Sequence, residues 1–349
     1  MNHILDISSD ELKLWLTTCE QPGYRAAQIQ KWLFHNRADS FESMSNLPNQ
    51  LKQALSKDLA IWTSKIVKHQ SSSDGTEKLL LELHDGGRIE CVLLRDGHRR
   101  TICISTQVGC AMGCVFCASG LDGVDRNLTT GEIIEQSLKL QSLLPDSERL
   151  SHVVVMGMGE PLANLDQLLP ALDTISSEDG LGISARRITI STVGLPKAMD
   201  RLSDMQTRYH LAVSLHAPND PLRNQLVPVN DNIGIKAILS AADRYFDTSG
   251  RRLTYEYVLL GDVNDGEKHA QELVNLLRHR NALLNVIPYN PVDGLPYKTP
   301  SRNRVARFKS VLEAGNITIR FRQRKGDDIN AACGQLRRNE VVQIDMPNG

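Results

Sequence analysis

From Thr101 onward, short apolar runs alternate with stretches in which apolar residues recur at helical spacing. The apolar runs are TICIST, HVVVMGM, RITIST, HLAVSLH, LTYEYVLL and LLNVIPY, and NITIRFR is a candidate seventh strand. Repeated alternation of this kind is typical of a parallel sheet in which a helix follows each strand. It predicts an α/β fold built as a partial (β/α)6 barrel, similar to part of a TIM barrel.

The segments on either side of this alternation have different patterns. Ser8 and Glu11 have the spacing of a helix capping box, and further helical patterns follow them. Two alternating apolar runs surround Asp85-Gly86-Gly87, which is typical of a β-hairpin. The predicted units are a small N-terminal helical domain (1–58), a connecting β-hairpin (59–95), the barrel domain (96–338) and a tail (339–349).

Composition excludes several classes of protein. With 41% hydrophobic and 23% charged residues, the 349-residue chain is typical of globular proteins and not of disordered or fibrous ones. No apolar stretch approaches the roughly 18 residues of a membrane span, and the first residues include acids where a signal peptide has bases. A cytoplasmic protein with no membrane segment is expected. Because the net charge is −1, nucleic acid would have to bind a local basic patch.

The cysteines indicate metal or redox chemistry. Seven are present, an odd number, and four of them lie within the fifteen residues from Cys103 to Cys117. Cys110, Cys114 and Cys117 supply three thiolates within eight residues, so one compact loop could bind a cuboidal iron–sulfur cluster. With only three protein ligands, one of the four irons stays open and can bind S-adenosylmethionine (SAM).

A zinc site is the alternative interpretation of the same cysteines. Cys103 would then join the other three as the fourth ligand of a closed tetrahedral site. Cys103 lies within the strand TICIST, where the pleat fixes the direction of its side chain, so the cluster is the favoured prediction. The zinc alternative would make the chain a non-catalytic RNA-binding protein with a zinc-stabilised loop.

Five further motifs follow the cysteines along the chain. They are GMGEP (157–161), STVG (191–194), SLHAPND (214–220), IPYNP (287–291) and GDDINAACGQL (326–336). Together with the three-cysteine spacing and the aromatic Phe116, they resemble the radical SAM superfamily and, within it, the RlmN/Cfr family of RNA adenine methyltransferases. The resemblance covers almost the whole chain. It implies a radical SAM barrel that binds one 4Fe-4S cluster and uses two molecules of SAM per turnover.

The same resemblance implies which residues bind the cofactors. The cluster ligands are Cys110, Cys114 and Cys117. The residues expected to contact SAM are Gly159, Glu160, Ser191, Ser214, Leu215, His216 and Asn290. A single Ser or Asn after a strand is more often a strand-end cap. The shared location of these residues after successive strands, together with the motif match, favours a binding site instead.

Two cysteines outside the cluster motif have roles in the family. Cys333 is implied to receive a methyl group from a first SAM. A radical from the second SAM then removes a hydrogen from that methyl, and the resulting carbon radical adds to the adenine. Cys103 is implied to release the product by forming a transient disulfide with Cys333. By residue type alone Cys333 would be a small buried hydrophobe, and Cys19 and Cys91, which match no family role, are predicted to be structural.

The general base of the family corresponds to Glu90 in RIECVLL. Ile89, Cys91 and Leu93 share one face of the predicted strand, so Glu90 lies on the other face. From the pattern alone, exposure to solvent is the favoured prediction for the Glu90 side chain.

The resemblance also implies the substrates. They are an adenosine of 23S ribosomal RNA near the peptidyl-transferase centre and, as a further expected substrate, the adenosine beside the tRNA anticodon. Methylation at adenine C2 is the favoured prediction, and C8, the target of another branch of the family, stays open. The basic run RFRQRKGDD before Cys333 is predicted to contact phosphates, and the N-terminal helices to help recognise folded RNA. An electron-donor protein is an expected partner, and the chain is expected to be monomeric.

Overall fold

The computed structural model describes residues 2–322 and 325–337. The N-terminal unit, residues 2–60, contains β1 (Asn2–His3), α1 (Ser9–Thr18), α2 (Arg25–Phe34), α3 (Asn49–Asp58) and β2 (Leu59–Ala60). Helix α1 begins with the predicted capping box, in which Ser8 Oγ accepts from the Glu11 N–H and the Glu11 carboxylate accepts from the Ser8 N–H. The predicted tail, 339–349, lies outside the described residues.

A ten-stranded sheet forms the centre of the molecule, and three of its strands are antiparallel. This antiparallel part consists of β3 (Ser64–Ser71), β4 (Glu77–Leu83) and β5 (Arg88–Asp96). The predicted hairpin is confirmed as β4 and β5, with Gly86 at a φ of 85° in the turn, a conformation that favours glycine. Strand β5 crosses the domain boundary predicted at 95/96, and the division of the chain into domains stays a prediction.

Seven parallel strands complete the sheet. Strand β6 (Arg99–Cys103) pairs with β5, and a small antiparallel pair, β7 (Gln107–Gly109) and β8 (Val124–Asn127), lies outside the main sheet. The other parallel strands are β9 (His152–Val155), β10 (Ile188–Thr192), β11 (His210–Ser214), β12 (Leu253–Leu259), β13 (Ala282–Pro288) and β14 (Ile319–Phe321). The sheet order is β14-β13-β12-β11-β10-β9-β6-β5-β4-β3. We call β6 and β9 to β14 the parallel part.

Helices connect the strands of the parallel part. They are α4 (Thr130–Gln141), α5 (Leu165–Ser176), α6 (Pro196–Asp204), α7 (Asp220–Leu226), α8 (Ile235–Ser249), α9 (Glu267–Leu277) and α10 (Arg302–Ala314). Among the described helices, none is both long and apolar enough to cross a membrane.

The α/β prediction is confirmed, and the candidate seventh strand is β14. The sheet is open and not a closed barrel, because its order ends with β14 at one edge and β3 at the other. Helix α6 and strand β3 were not predicted. In the nine-residue α6 only Met199, Leu202 and Ser203 are buried, so the helix offers few apolar positions to recognise, and most of β3 is exposed.

Helix α4 is buried almost throughout because the N-terminal unit covers its outer side. The Glu135 carboxylate on α4 accepts hydrogen bonds from the backbone N–H groups of Thr63 (2.9 Å) and Ser64 (3.1 Å), and it pairs with His3 Nε2 at 2.9 Å. One hydrophobic core therefore extends from the N-terminal unit into the sheet, and the unit is anchored directly behind the strands that carry the site.

Candidate functional site

The three predicted cluster ligands lie in one loop that follows β7. We call residues 110–117 the cluster loop. The Cys117 N–H donates to Cys114 O at 3.1 Å, which closes a tight turn. Burial raises the pKa of Cys110 to about 12 and also raises the pKa values of Cys114 and Cys117. The thiols of Cys110 and Cys114 also interact electrostatically with Cys117, and all three thiols would release their protons on binding iron.

Two other parts of the chain hold the cluster loop. On one side, the Val115 N–H donates to Leu226 O of α7 at 3.1 Å, and the Phe116 ring packs edge-on against His216 at 4.8 Å between centroids. On the other side, the Ala118 N–H donates to Gly334 O at 2.8 Å. The loop is thus fixed between α7 and the segment that carries Cys333.

The geometry does not favour the four-cysteine zinc site. The strongest electrostatic neighbours of Cys103 are Cys333 and Arg322, and not the cysteines of the cluster loop.

The GMGEP loop after β9 packs tightly against the strand end beneath it. Gly159 has a φ of 99°, and a Cβ there would lie 2.7 Å from Gln107 Cβ, so the position requires glycine. Glu160 is 3% exposed, and its carboxylate accepts from the Val193 N–H at 2.7 Å and the Leu162 N–H at 3.0 Å. Burial raises the pKa of Glu160 above its ordinary value, and these hydrogen bonds offset only part of that shift. Glu160 therefore joins the loops after β9 and β10.

The next predicted SAM residues lie on β10 and β11. The register pairs Ser191 with Ala212, which places Ser191 and Ser214 on the same face of the sheet. Leu215 is fully buried behind them. His216 has a φ of 58°, and its Nδ1 accepts from the Val258 N–H at 3.1 Å, which leaves the proton on Nε2. Burial lowers the pKa of His216 to about 3, so its ring is neutral.

Asn290, after β13, has an unsatisfied acceptor inside the protein. Its side chain is 4% exposed, and Nδ2 donates to Cys333 O at 3.3 Å. Its Oδ1 has no hydrogen-bond partner among the described residues. A buried acceptor without a partner is costly, and an amine or hydroxyl of a bound ligand would satisfy it. The predicted SAM residues therefore fit a ligand of that chemistry at the carboxyl ends of the parallel strands.

Glu90 is buried, so the prediction of solvent exposure was wrong. The register pairs Lys78 with Val92 and Val92 with Cys103, and it thereby puts Lys78, Glu90 and Cys103 on one face of the sheet. Glu90 is 7% exposed, its Oε1 lies 2.8 Å from Lys78 Nζ, and its Oε2 accepts from the Arg337 N–H at 2.8 Å. Burial raises the pKa of Glu90, and Lys78 opposes that shift.

Cys333 lies in the C-terminal segment, residues 325–337, which contacts both parts of the sheet. The antiparallel part holds it through Lys78, whose Nζ donates to Asn330 O at 3.1 Å, and the parallel part holds it through Asn290. The thiols of Cys103 and Cys333 interact with each other and are both free. Cys117 also interacts with Cys333. The structure thus brings together Glu90, both predicted catalytic thiols and the edge of the cluster loop.

The remaining sequence predictions have mixed outcomes. Cys91 is fully buried, in agreement with a structural role. In the basic run, Arg322 interacts electrostatically with Cys103 and Cys333, and Lys325 Nζ donates to Arg95 O at 2.7 Å and pairs with Asp96. These two cations are engaged within the chain, whereas Arg320 of the same run is exposed, and the phosphate contacts of the run stay a prediction. Residues 323, 324 and 338 lie outside the described residues.

Sequence reasoning missed three charged residues of the site. They are Lys78, Glu256 and Arg223, all of them buried. For Lys78 and Glu256 the available signal was a charge within or next to an apolar run, which is unusual for a buried strand face, whereas the sequence around Arg223 offers no such signal.

Comparison with known proteins identifies the family. Residues 2–61 match the family described as the ribosomal RNA large subunit methyltransferase N-terminal domain, and residues 104–274 match the radical SAM superfamily. A probable dual-specificity RNA methyltransferase RlmN of Rhodopirellula baltica is 64% identical, over 97% of this chain and 91% of that protein. Its counterpart in Bacillus subtilis is 42% identical, over 97% and 93%.

A solved structure agrees with these relatives. The crystal structure of a radical SAM methyltransferase from Sphaerobacter thermophilus has a TM-score of 0.94 and 41% sequence identity, and the match covers 97% of this chain and 100% of that one. The family resemblance predicted from the motifs is therefore confirmed. The chain belongs to the RlmN family of radical SAM RNA methyltransferases.

Proposed function

We propose that the chain methylates C2 of an adenine in 23S ribosomal RNA near the peptidyl-transferase centre, and also the adenine beside the tRNA anticodon, with Cys333 as the methyl carrier. The observation that carries this proposal is the grouping of Cys333, Cys103 and buried Glu90 beside the cluster loop. The name of the relatives, dual-specificity RNA methyltransferase, supports two RNA substrates.

Superfamily membership implies a 4Fe-4S cluster and SAM. We assign the cluster to Cys110, Cys114 and Cys117, whose thiols share one loop. We assign SAM to the side chains and backbone at the carboxyl ends of the parallel strands, namely Gly159, Glu160, Ser191, Ser214, Leu215, His216 and Asn290. When bound, these cofactors supply a 5′-deoxyadenosyl radical in a site that excludes water.

Cys333 would act first as a nucleophile and then as a carrier. Its thiolate takes the methyl group of one SAM, and S-adenosylhomocysteine leaves. After loss of one hydrogen atom from this S-methyl group to the radical, the methylene carbon bonds to adenine C2. Protein and RNA are then covalently joined through the Cys333 sulfur, and Asn290 holds the Cys333 backbone in place.

Glu90 would remove the proton from C2, and the bound cluster would supply the acceptor for the electron that leaves with it. A base must be ionised, and the Lys78 ammonium at 2.8 Å favours the ionised carboxylate against the effect of burial. A carboxylate has about four acceptor positions, so hydrogen bonds from Lys78 and Arg337 leave room for a third proton donor.

Cys103 would resolve the covalent intermediate. Its thiolate attacks the Cys333 sulfur, the bond from that sulfur to the methylene carbon breaks, and the carbon takes up a proton to become the methyl group of the product. A Cys103–Cys333 disulfide remains and must be reduced before the next turnover. We infer that an electron-donor protein serves the cluster in the reducing cytoplasm, where such a disulfide is short-lived.

Methylation at C8 is the second candidate, because the carrier chemistry of Cys333 does not by itself select the ring carbon. The test is methylation of ribosomal RNA and tRNA fragments by the cluster-loaded protein with methyl-labelled SAM, and the position of the label is read by tandem mass spectrometry or NMR. Label at C2 in both RNAs is the expected result. Label at C8 would replace the proposed regiochemistry, and an unlabelled tRNA would remove the second substrate.

A further inference from the structure

Arg223 is a fully buried arginine on α7 that none of the steps above uses. Its Nε donates to Leu215 O at 3.0 Å, and its Nη2 donates to Ser214 O at 2.8 Å and also to Val193 O. Its Nη1 donates to Asn230 Oδ1. The guanidinium therefore joins the chain after β10 to the chain after β11, directly beneath the predicted SAM residues.

All of these acceptors are neutral, so the positive charge of Arg223 is left without a direct counter-ion. Within the described ranges, none of the ion pairs closer than 4.0 Å involves Arg223. Asp220 interacts with Arg223 electrostatically, but it is not in direct contact, since its Oδ1 accepts from Asn230 Nδ2 at 2.9 Å. A buried charge without an ionic partner in contact is destabilising, so such charges are rarely left unpaired. An anion beside Arg223 would therefore stabilise it.

The cluster loop is where that anion would be. Helix α7 packs against the loop through the bond from the Val115 N–H to Leu226 O, and Arg223 interacts electrostatically with Cys114. Burial lowers the pKa of Arg223 to about 10, which leaves it protonated at neutral pH. Three thiolates around a 4Fe-4S cluster give a net negative charge, and reduction adds one more.

We propose that Arg223 is the counter-ion of the bound cluster. It is a positioning residue that favours the reduced cluster and holds the segments after β10 and β11, which are assigned to SAM binding. A fixed cation in a medium of low dielectric constant stabilises a nearby anion, and it does so more strongly as the negative charge increases. Loss of the cation should therefore make the cluster harder to reduce. The inference rests on the proposed function in one respect, the assignment of the cluster to the cluster loop.

The test compares Arg223→Lys with Arg223→Gln in the full-length, cluster-loaded protein. Both changes remove the forked hydrogen bonds, and only Lys keeps the charge. Iron content and the midpoint potential, from a redox titration followed by electron paramagnetic resonance, are measured for both. The control is Arg280→Gln. Arg280 follows α9 and pairs with Asp243 of α8.

We expect Arg223→Lys to keep iron and a midpoint potential close to those of the wild type, and Arg223→Gln to lose iron or shift the potential to more negative values. Arg280→Gln should leave both unchanged. Equal behaviour of the Lys and Gln variants would overturn the proposal, whether both keep the wild-type values, shift alike or fail to fold. A wild-type protein that binds no iron or sulfide would instead refute the cluster assignment, so the two failures are distinguishable.

Discussion

The parallel and antiparallel parts of the sheet hold their functional groups by different means. In the parallel part the groups lie at or beyond the strand ends, where hydrogen bonds to backbone groups fix them, as between Glu160 and the Val193 N–H or Arg223 and Leu215 O. In the antiparallel part, Lys78 and Glu90 lie within the strands and form a buried ion pair. That pair reaches the C-terminal segment directly, at Asn330 O and the Arg337 N–H.

The difference indicates a division of labour. Loops at the carboxyl ends of parallel strands can surround a cofactor from several sides. A rigid antiparallel face beside them suits a different task, which is to hold one peptide segment and its reactive thiol in a fixed place. Changes in the parallel part should therefore affect cofactor chemistry, and changes in the antiparallel part should affect methyl transfer.

The largest effects should come from Cys114→Ala and Cys333→Ala, and these variants test the division itself. Both should abolish methylation of RNA. Cys114→Ala should also lose iron, because it removes a cluster ligand, whereas Cys333→Ala should keep wild-type iron content. Iron analysis and a methyl-transfer assay on the same preparations measure both properties. Loss of iron in both variants would show that cofactor binding and methyl transfer are not divided between the two parts of the sheet.

The next effect concerns Cys103, on the strand that joins the two parts. Cys103→Ala should stop turnover after the covalent step, so that RNA remains attached to protein and migrates with it on a denaturing gel. Cys91→Ala is the matched control, since Cys91 is a buried thiol on the opposite face of the neighbouring strand. Free methylated RNA in multiple turnovers from Cys103→Ala would contradict the resolving role.

Lys78→Met should slow methylation at neutral pH, by at most the roughly 10²–10⁴-fold that a general base usually contributes, because Glu90 remains but is harder to ionise. Burial raises the pKa of Glu90, and Lys78 opposes that shift. Removal of Lys78 therefore raises the pKa of Glu90 further. Because the base must be ionised, the rise of activity with pH should move to higher pH. Breaking the buried pair should also lower the free energy of unfolding by about 3–5 kcal/mol. Urea unfolding and a pH–rate profile measure the two effects.

Lys78→Arg is the control for that prediction, because it keeps a cation beside Glu90. It should restore most of the activity and move the pH–rate profile back toward that of the wild type. If Lys78→Met lowers the free energy of unfolding but keeps the wild-type pH–rate profile, the role of Lys78 is purely structural.

The smallest effect on catalysis should come from Glu135→Gln. Glu135 lies on α4 behind the sheet and contacts neither the groups assigned to the cofactors nor the Lys78–Glu90 pair. Burial alone would raise the pKa of Glu135, but hydrogen bonds and charge from His3 and Ser64 lower it from 4.5 to about 2. That difference is worth about 3 kcal/mol of stability, present above pH 4.5 and lost as the pH falls toward 2. Glu135→Gln should be less stable at pH 7 and lose less stability on acidification, as measured by thermal unfolding. Equal acid sensitivity in both proteins would contradict this assignment.

The grouping of Cys110, Cys114 and Cys117 in one loop could be predicted from the sequence, because the three residues are neighbours in the chain. Their role as cluster ligands is a proposal. The alternation of strands and helices likewise predicted the parallel part. Helix α6 escaped prediction because only a few of its residues are buried.

The environment of Glu90 and the role of Arg223 could not be predicted, because distant segments create both. Glu90 alternates with buried apolar residues, which suggests exposure, until Lys78 and the C-terminal segment cover it. From the sequence, Arg223 is expected to be a solvated residue of a short helix. In the structure, the backbone segments that follow β10 and β11 bury it. Spacing carries no information about contacts between segments so far apart in the chain.

The central claim is that the C-terminal segment delivers a methyl group on Cys333. The most direct measurement incubates the cluster-loaded protein with methyl-labelled SAM, and follows the label by mass spectrometry in the Cys333 peptide before and after RNA is added. The account predicts label on Cys333 first and its transfer to adenine C2 when RNA is present. Labelled RNA formed by a protein whose Cys333 never carries the label would contradict it.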